Sequence, residues 1–337
     1  MSAEPALARP AEASFKSGSN LERVLAGGHF AVTAELGPPH NWNAEVVRTK
    51  IALLKGSCDA ANVTDNAAAV VHMSSIATAL LMVPEGLEPV IQMVCRDRNR
   101  IAMQSDLLGA AAHGVRNLLC LSGDHQSFGD HPGAKNVHDI DSTQLVAMVR
   151  TMRDAGQLQS GTEIQGGGPP IFIGAAESPF ADPVAMRPYR LRKKSEAGAD
   201  FIQTQLVYDI EAFKTFMRKA VELRVPEKTH ILAGVGPLKS PGMARHLRDK
   251  VPGVVVPEEM VARMENAASG IDKQDTAARR AAWQAEGKKI CVELIQQLRE
   301  VEGVAGVHIM AIEWESAVKE IVSAAGLLPR PLLEPAV

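Results

Sequence analysis

Two carboxylates stand where short apolar runs break off. In a chain of buried strands, that is where chemistry is usually placed. The first is Glu35, in the stretch FAVTAELGPP from Phe30 to Pro39. Phe30, Val32 and Thr33 favour a strand covered on both faces, and Gly37, Pro38 and Pro39 stop it. A carboxyl group at such an end is costly unless it is paired or used. Pairing with an Arg or leaning into solvent is the alternative to catalysis, and the stretch alone leaves both readings open. The second is Asp124, in Ser122-Gly123-Asp124 behind the run Arg116 to Leu121. The two carboxylates come from separate strands and could converge.

Other polar residues mark the remaining run ends: Thr64 with Asp65 and Asn66, Gln92, Glu177, Gln203 with Gln205, and Glu313 with Trp314. Amide side chains both donate and accept, which suits them to orienting a heterocycle. Trp314 would either stack on such a ring or only pack. Lys193 and Lys194 follow Arg187, Arg190 and Arg192. They read either as a solvated helix face balanced by Glu196 or as a basic face for a phosphate-bearing cofactor. His125 and His131 flank Asp124 and Asp130, but no H-x-x-x-H helix accompanies them. No His/Cys cluster has metal spacing, so no metal site is assigned. No G-x-S-x-G elbow is present.

The elements that must position these residues alternate. Strand-like runs cover Phe30–Glu35, Ala60–Thr64, Glu88–Cys95, Arg116–Leu121, Pro170–Ala175, Asp200–Leu206, His230–Val235 and Gly306–Ala311. Helical patterns separate them, among them Ala67–Leu81, Arg100–His113, Ser142–Ala155 and Pro183–Ala197. Eight alternations are the count of a (β/α)8 barrel, the α/β fold we expect as a single domain. A doubly wound sheet would want a Gly-rich nucleotide turn after an early strand, and Gly166-Gly167-Gly168 lacks the strand and helix around it.

The chain has 337 residues, 46% hydrophobic and 22% charged, with a net charge of −3, which suits one large core. Without a dense Lys/Arg stripe, and with 4% aromatics, nucleic acid is not an expected partner. No apolar run is long enough for a bilayer, so no membrane partner is expected. Cys58, Cys95, Cys120 and Cys291 form no C-x-x-C pair and read as reduced core thiols of a cytoplasmic protein. Residues 1–20 read as a flexible N-terminal tail, without the apolar centre of a signal peptide, and 21–337 as the barrel.

Together these motifs resemble the methylenetetrahydrofolate reductases. The similarity is carried by AELGPP at 34–39, VTDN at 63–66, LSGD at 121–124, LRKKSEAGADFIQTQLVYD at 191–209 and GVGP at 234–237. Each is weak alone, whereas their order and spacing are specific. LSGDHQSFGDHPGAK, AGADFIQTQ and GVHIMAIEWE look closest to the branch of acetogenic and other one-carbon-metabolising bacteria, and less like the enteric branch.

The resemblance implies a flavin-dependent barrel that passes hydride from NADH or NADPH to 5,10-methylenetetrahydrofolate, giving 5-methyltetrahydrofolate. Glu35 matches the general acid that protonates the folate nitrogen, and its pocket should raise its pKa. Asp124 matches the Asp beside the flavin's pyrimidine edge. Gln205 matches the Gln that contacts folate or nicotinamide, with Gln203 and Trp314 as further substrate contacts. Thr64, Asn66, Gln92 and Gly123 fall among the cofactor contacts, and Lys193 and Lys194 where basic residues meet its phosphates.

Some positions depart from the enteric pattern. Gln92 replaces a His, Ser122 an Arg, Arg187 and Arg190 an Asp and an Asn, Ala176 and Phe180 a Tyr and a His, and Pro241 an aromatic. Glu313 and Trp314 replace an Asn-Arg type pair. The cofactor is therefore expected to be FAD, with FMN or a flavin-free direct transfer as alternatives. A homo-oligomer and an accessory reductase subunit are the assemblies considered. A pterin-binding methyltransferase barrel, or a partner subunit of a larger reductase, is the rival function.

Overall fold

Each of the eight apolar runs becomes a strand in the computed structural model, which describes residues 15–333. The strands are β1 Ala31–Leu36, β2 Ala60–Val63, β3 Pro89–Val94, β4 Asn117–Leu121, β5 Phe172–Glu177, β6 Phe201–Leu206, β7 His230–Val235 and β8 Val304–Ile309. All pair in parallel in sequence order, and β8 returns to β1, closing the barrel. The helices are α1 Asn20–Ala26, α2 Ala44–Leu54, α3 Ser75–Glu85, α4 Arg100–Ala112, α5 Ser142–Arg150, α6 Arg187–Ala197, α7 Ile210–Glu222, α8 Pro241–Lys250, α9 Glu258–Asn266, α10 Thr276–Leu298 and α11 Ser316–Ala324. Parallel strands covered by helices on the outside explain the burial of all of β2 and of all but one residue each of β1 and β5.

One helix starts later than its composition suggests. The small-residue run from Ala67 was expected to be helical as far as Leu81. Instead Asn66, Ala68 and Ala69 take left-handed backbone conformations, and α3 begins only after Ser74, whose side chain accepts from the Ala77 N–H. The intervening loop packs on the loop after β4. A side chain at Gly129 would collide with the Ala69 carbonyl, so only glycine permits that approach.

Inside the barrel, alternate residues point inward and stack in layers. The lowest layer is apolar: Ala31, Ala60, Val90, Leu119, Phe172, Phe201 and Leu232, closed from beneath by Leu21, Val24 and Leu25 of α1. Residues 1–14 of the expected tail lie outside the described residues. The part that is described is anchored: Glu22 accepts from the backbone N–H groups of Lys16, Ser17 and Gly18, and Ser19 caps α1.

The layer above is polar and saturated. Asn62 donates to Gln203 Oε1 at 2.6 Å, and Gln203 donates back to Asn62 Oδ1 at 3.0 Å and to Thr33 Oγ1 at 3.1 Å. Thr33 Oγ1 in turn meets His308 Nδ1 at 3.0 Å. Burial pushes the His308 imidazole down to about 3, so it is neutral.

Beneath the barrel two locks of identical form hold neighbouring strands. Asp59 accepts from the Val32 N–H at 2.7 Å, and Arg330 bridges Asp59 (2.6 Å) and the Phe30 carbonyl (2.8 Å). Across the barrel, Asp200 accepts from the Ile173 N–H at 2.8 Å, and Arg153 bridges Asp200 (2.5 Å) and the Ile171 carbonyl (3.0 Å). The four cysteines are buried, and burial holds Cys58, Cys95 and Cys291 up at about 12, away from thiolate chemistry. Among the described residues no helix is long and apolar enough to cross a membrane.

Candidate active site

The third inward layer opens at the carboxyl ends of the strands, and here the polar side chains are not saturated. Glu35 of β1, Thr64 beyond β2, Gln92 of β3 and Gln205 of β6 share the inward parity of the layers below. Among the described residues neither oxygen of Glu35 meets a hydrogen-bond donor, and the Gln92 amide has no partner. Gln205 Oε1 accepts the Leu206 N–H at 2.9 Å, which fixes the amide and leaves its NH2 side unclaimed. A polar layer whose members satisfy one another is a floor. A polar layer left open above it is built to meet something else.

Glu35 is the acid of this mouth. Burial pushes its carboxyl up to about 7, the negative charge of Glu315 adds to the rise, and Lys50 opposes it. A carboxylic acid that keeps its proton near neutrality can protonate a nitrogen at the moment a bond to it breaks.

Asp124 stands at the same end, three residues past β4, exposed to solvent. Gly123 before it has φ +86, and a Cβ there would press on Val94 and Arg96, so a larger residue would be strained. Asp124 Oδ2 accepts the Ala68 N–H at 3.2 Å, and its carbonyl accepts from Arg96 at 3.0 Å. Arg96 also donates to the Asn66 carbonyl and both oxygens of Asp97, joining the loops after β2, β3 and β4. Asp65, fully buried, accepts the Val94 N–H at 3.0 Å and a bidentate pair from Arg98 at 2.6 and 3.2 Å. Asn66 donates to Asp97 at 3.1 Å and accepts from the His72 N–H, so it shapes the loop.

Three expected contacts are placed differently. Gln203 lies one layer down with its amide committed to Asn62 and Thr33, so it supports the floor. Trp314 packs against the core beside Lys288 of α10, whose ammonium is 6.0 Å from the ring centroid. Lys194 is buried and its ammonium is held by Glu177 at 2.8 Å and by the Ala176 carbonyl. Lys193 beside it faces solvent. Helical periodicity separates the two lysines, and the carboxylate one strand away captures the inner one.

Arg96, Asp65 with Arg98, and Lys50 with Glu315 carry no assignment from the sequence motifs. The run Arg96-Asp97-Arg98-Asn99 directly after a strand was the available signal for the two arginines, and the place of Asp65 after the second run for the third. Lys50 and Glu315 lie far apart in sequence and gave none. The candidate metal histidines are engaged locally, His125 with Ser127 and His131 with Asp130.

A closed parallel barrel with an uncommitted carboxyl and free amides at its carboxyl-end mouth has its open polar residues at the end where barrels of this fold carry their sites. The chain belongs to the methylenetetrahydrofolate reductase family, whose family model, "Methylenetetrahydrofolate reductase", matches residues 20–326. It is 25% identical over 263 residues to the Caenorhabditis elegans protein named "Probable methylenetetrahydrofolate reductase (NADPH)", an alignment covering 77% of this chain and 35% of that one. It is 27% identical over 256 residues to "Methylenetetrahydrofolate reductase 2" of Schizosaccharomyces pombe, covering 71% and 36%. The chain thus spans about a third of the length of these relatives. In fold it is similar to a Clostridium thermocellum protein solved with two copies of 5-methyl-5,6,7,8-tetrahydrofolic acid: TM-score 0.58, 14% identity, 92% of this chain and all of that one.

Proposed function

We propose that the chain reduces 5,10-methylenetetrahydrofolate to 5-methyltetrahydrofolate with NADH or NADPH. The observation that carries this reading is Glu35: a carboxyl held up to about 7, with no donor on its oxygens, at the mouth of a barrel of this family. The methylene bridge of the substrate joins two nitrogens, and opening it leaves an iminium and a nitrogen that needs a proton. Glu35 supplies that proton. Gln205, with its carbonyl fixed and its NH2 side open, orients the heterocycle by donating to it.

A flavin fits the ring end of this mouth. Thr64, Gln92 and the glycine backbone at Gly123 are uncharged, and the Asp124 carboxylate already holds an N–H of the kind a pyrimidine ring presents. The phosphate end relies on exposed Arg190 and Lys193, since Lys194 is balanced by Glu177. FAD, or FMN in its place, would supply a hydride acceptor and donor between nicotinamide and folate. Asp124 stabilises positive charge in the bound heterocycle. Asp124→Asn is expected to keep the fold and slow folate turnover on the order of tenfold, measured at saturating folate.

The purified chain tests the reading directly. A flavin absorption spectrum, bleached by NADH or NADPH without oxygen and restored by methylenetetrahydrofolate with formation of methyltetrahydrofolate, is the expected result. A colourless protein that makes methyltetrahydrofolate from NADH selects direct transfer. A protein that consumes no nicotinamide, yet binds methyltetrahydrofolate, selects the methyltransferase rival. A chain that acts only when mixed with a further subunit selects the partner role.

A further inference from the structure

At the exit of β1, two residues past Glu35, a charged pair is anchored to the backbone. Lys50 of α2 donates to Glu315 at 2.6 Å and to the Gly37 carbonyl at 2.9 Å. Gly37 is two residues past Glu35 on the strand's exit. Glu315 is the residue before α11 and is 6% exposed. Because β8 is hydrogen-bonded to β1, the segment leaving β8 carries Glu315 to the exit of β1. The lysine therefore ties the end of β1 to the start of α11, with a carboxylate and an ammonium set near the catalytic carboxyl.

We propose that Lys50 and Glu315 are positioning residues for Glu35, an oppositely charged pair seated at the exit of β1 whose two members act on the acid's proton in opposite senses. The proposal rests on the reading of Glu35 as the general acid. A buried pair is costly to desolvate and weak as a source of stability, so its placement calls for another reason.

The other groups around the acid contribute little net charge on this side. His308 of β8 is neutral and bonded to Thr33. Thr64, Gln92 and Gln205, from β2, β3 and β6, are uncharged. On α2, Glu45 and Arg48 pair at the exposed surface, and Arg48 also meets Glu85 of α3. Near the start of α11, Glu313 is exposed, and Lys288 of α10 is paired with Glu320. Asp124 and Arg96 belong to the β3–β4 side of the mouth. Lys50 and Glu315 are thus the charges bearing on Glu35 from this side, and they are of opposite sign.

The test reads the Glu35 carboxyl itself. In protein carrying carbon-13 glutamate, with the signal assigned by its loss in Glu35→Gln, Glu315→Gln is expected to lower the titration midpoint by about one pH unit and Lys50→Met to raise it by about one. The double variant should return to within a few tenths of the parent. Lys50→Met leaves Glu315 buried without its partner. Should that variant not fold, the midpoint of Glu315→Gln against the double variant decides.

Midpoints that stay put, or that move together in one direction, overturn the proposal. The alkaline limb of folate turnover should follow the same shifts. If the carboxyl titration moves and the turnover profile does not, the pair acts as proposed and the reading of Glu35 as the acid is what fails.

Discussion

Glu35→Gln is expected to abolish folate reduction while leaving the reoxidation of NADH or NADPH by an artificial acceptor intact. Glutamine keeps the size of the side chain and its capacity to hydrogen-bond, and loses only the transferable proton. General acid catalysis is worth roughly 10²–10⁴-fold, so a loss of that size in kcat for the folate half-reaction is the predicted outcome. The nicotinamide half-reaction needs no proton from this carboxyl. Stopped-flow measurement of each half-reaction separates them, and a variant that turns over folate at the parent rate removes Glu35 from the mechanism.

The pH dependence follows with a definite sign. The carboxyl titrates at about 7 in the folded protein, so its acid form is present below 7 and lost above. Folate turnover in the parent should fall toward tenfold per pH unit on the alkaline side, and this limb should be missing from the residual activity of Glu35→Gln. Stability carries the same signature. A carboxyl raised from its ordinary 4.5 favours folding when protonated, and that advantage disappears as pH rises to 7. The glutamine variant should therefore melt later than the parent at pH values above 7, and alike below 4.5.

The second large effect concerns the floor of the barrel. Arg330→Met should destabilise the protein by about 3–5 kcal/mol, because it strands Asp59, whose side chain is fully buried, without its only cation among the described residues. Arg153→Met breaks the matching lock and should cost less, about 2 kcal/mol, since Lys16 remains bonded to Asp200. Denaturant titration of both variants checks the order. Equal losses would mean that Lys16 contributes nothing.

Much of this was legible in the residue order. Each of the eight strands was announced by a short apolar run, the first seven closed by Gly, Pro or Asp, and Glu35 and Asp124 by their place at such ends. The layers were not. Gln203 and Gln205 have the same side chain and inward parity, and only the coordinates show that two residues of rise separate a saturated amide from an open one. Lys193 and Lys194 look equivalent in sequence, yet helical rotation sends one to solvent and the other to Glu177. The loop at 66–72 defeated the pattern because Asn66, Ala68 and Ala69 take conformations their types do not advertise. Lys50 and Glu315 meet only because the barrel closes, a contact no local motif encodes.

The two locks beneath the barrel repeat with a fixed interval. Phe30 and Ile171, Val32 and Ile173, and Asp59 and Asp200 share the 141-residue spacing of Asn62 and Gln203, which grip each other across the lumen. The same interval carries β1, β2 and β3 onto β5, β6 and β7, while β8 lies further on than β4 would require, so the two halves of the barrel share a register through their first three strands. Chemistry has broken that kinship. At the same interval from Glu35 stands Ala176, a methyl group where the other half carries its acid.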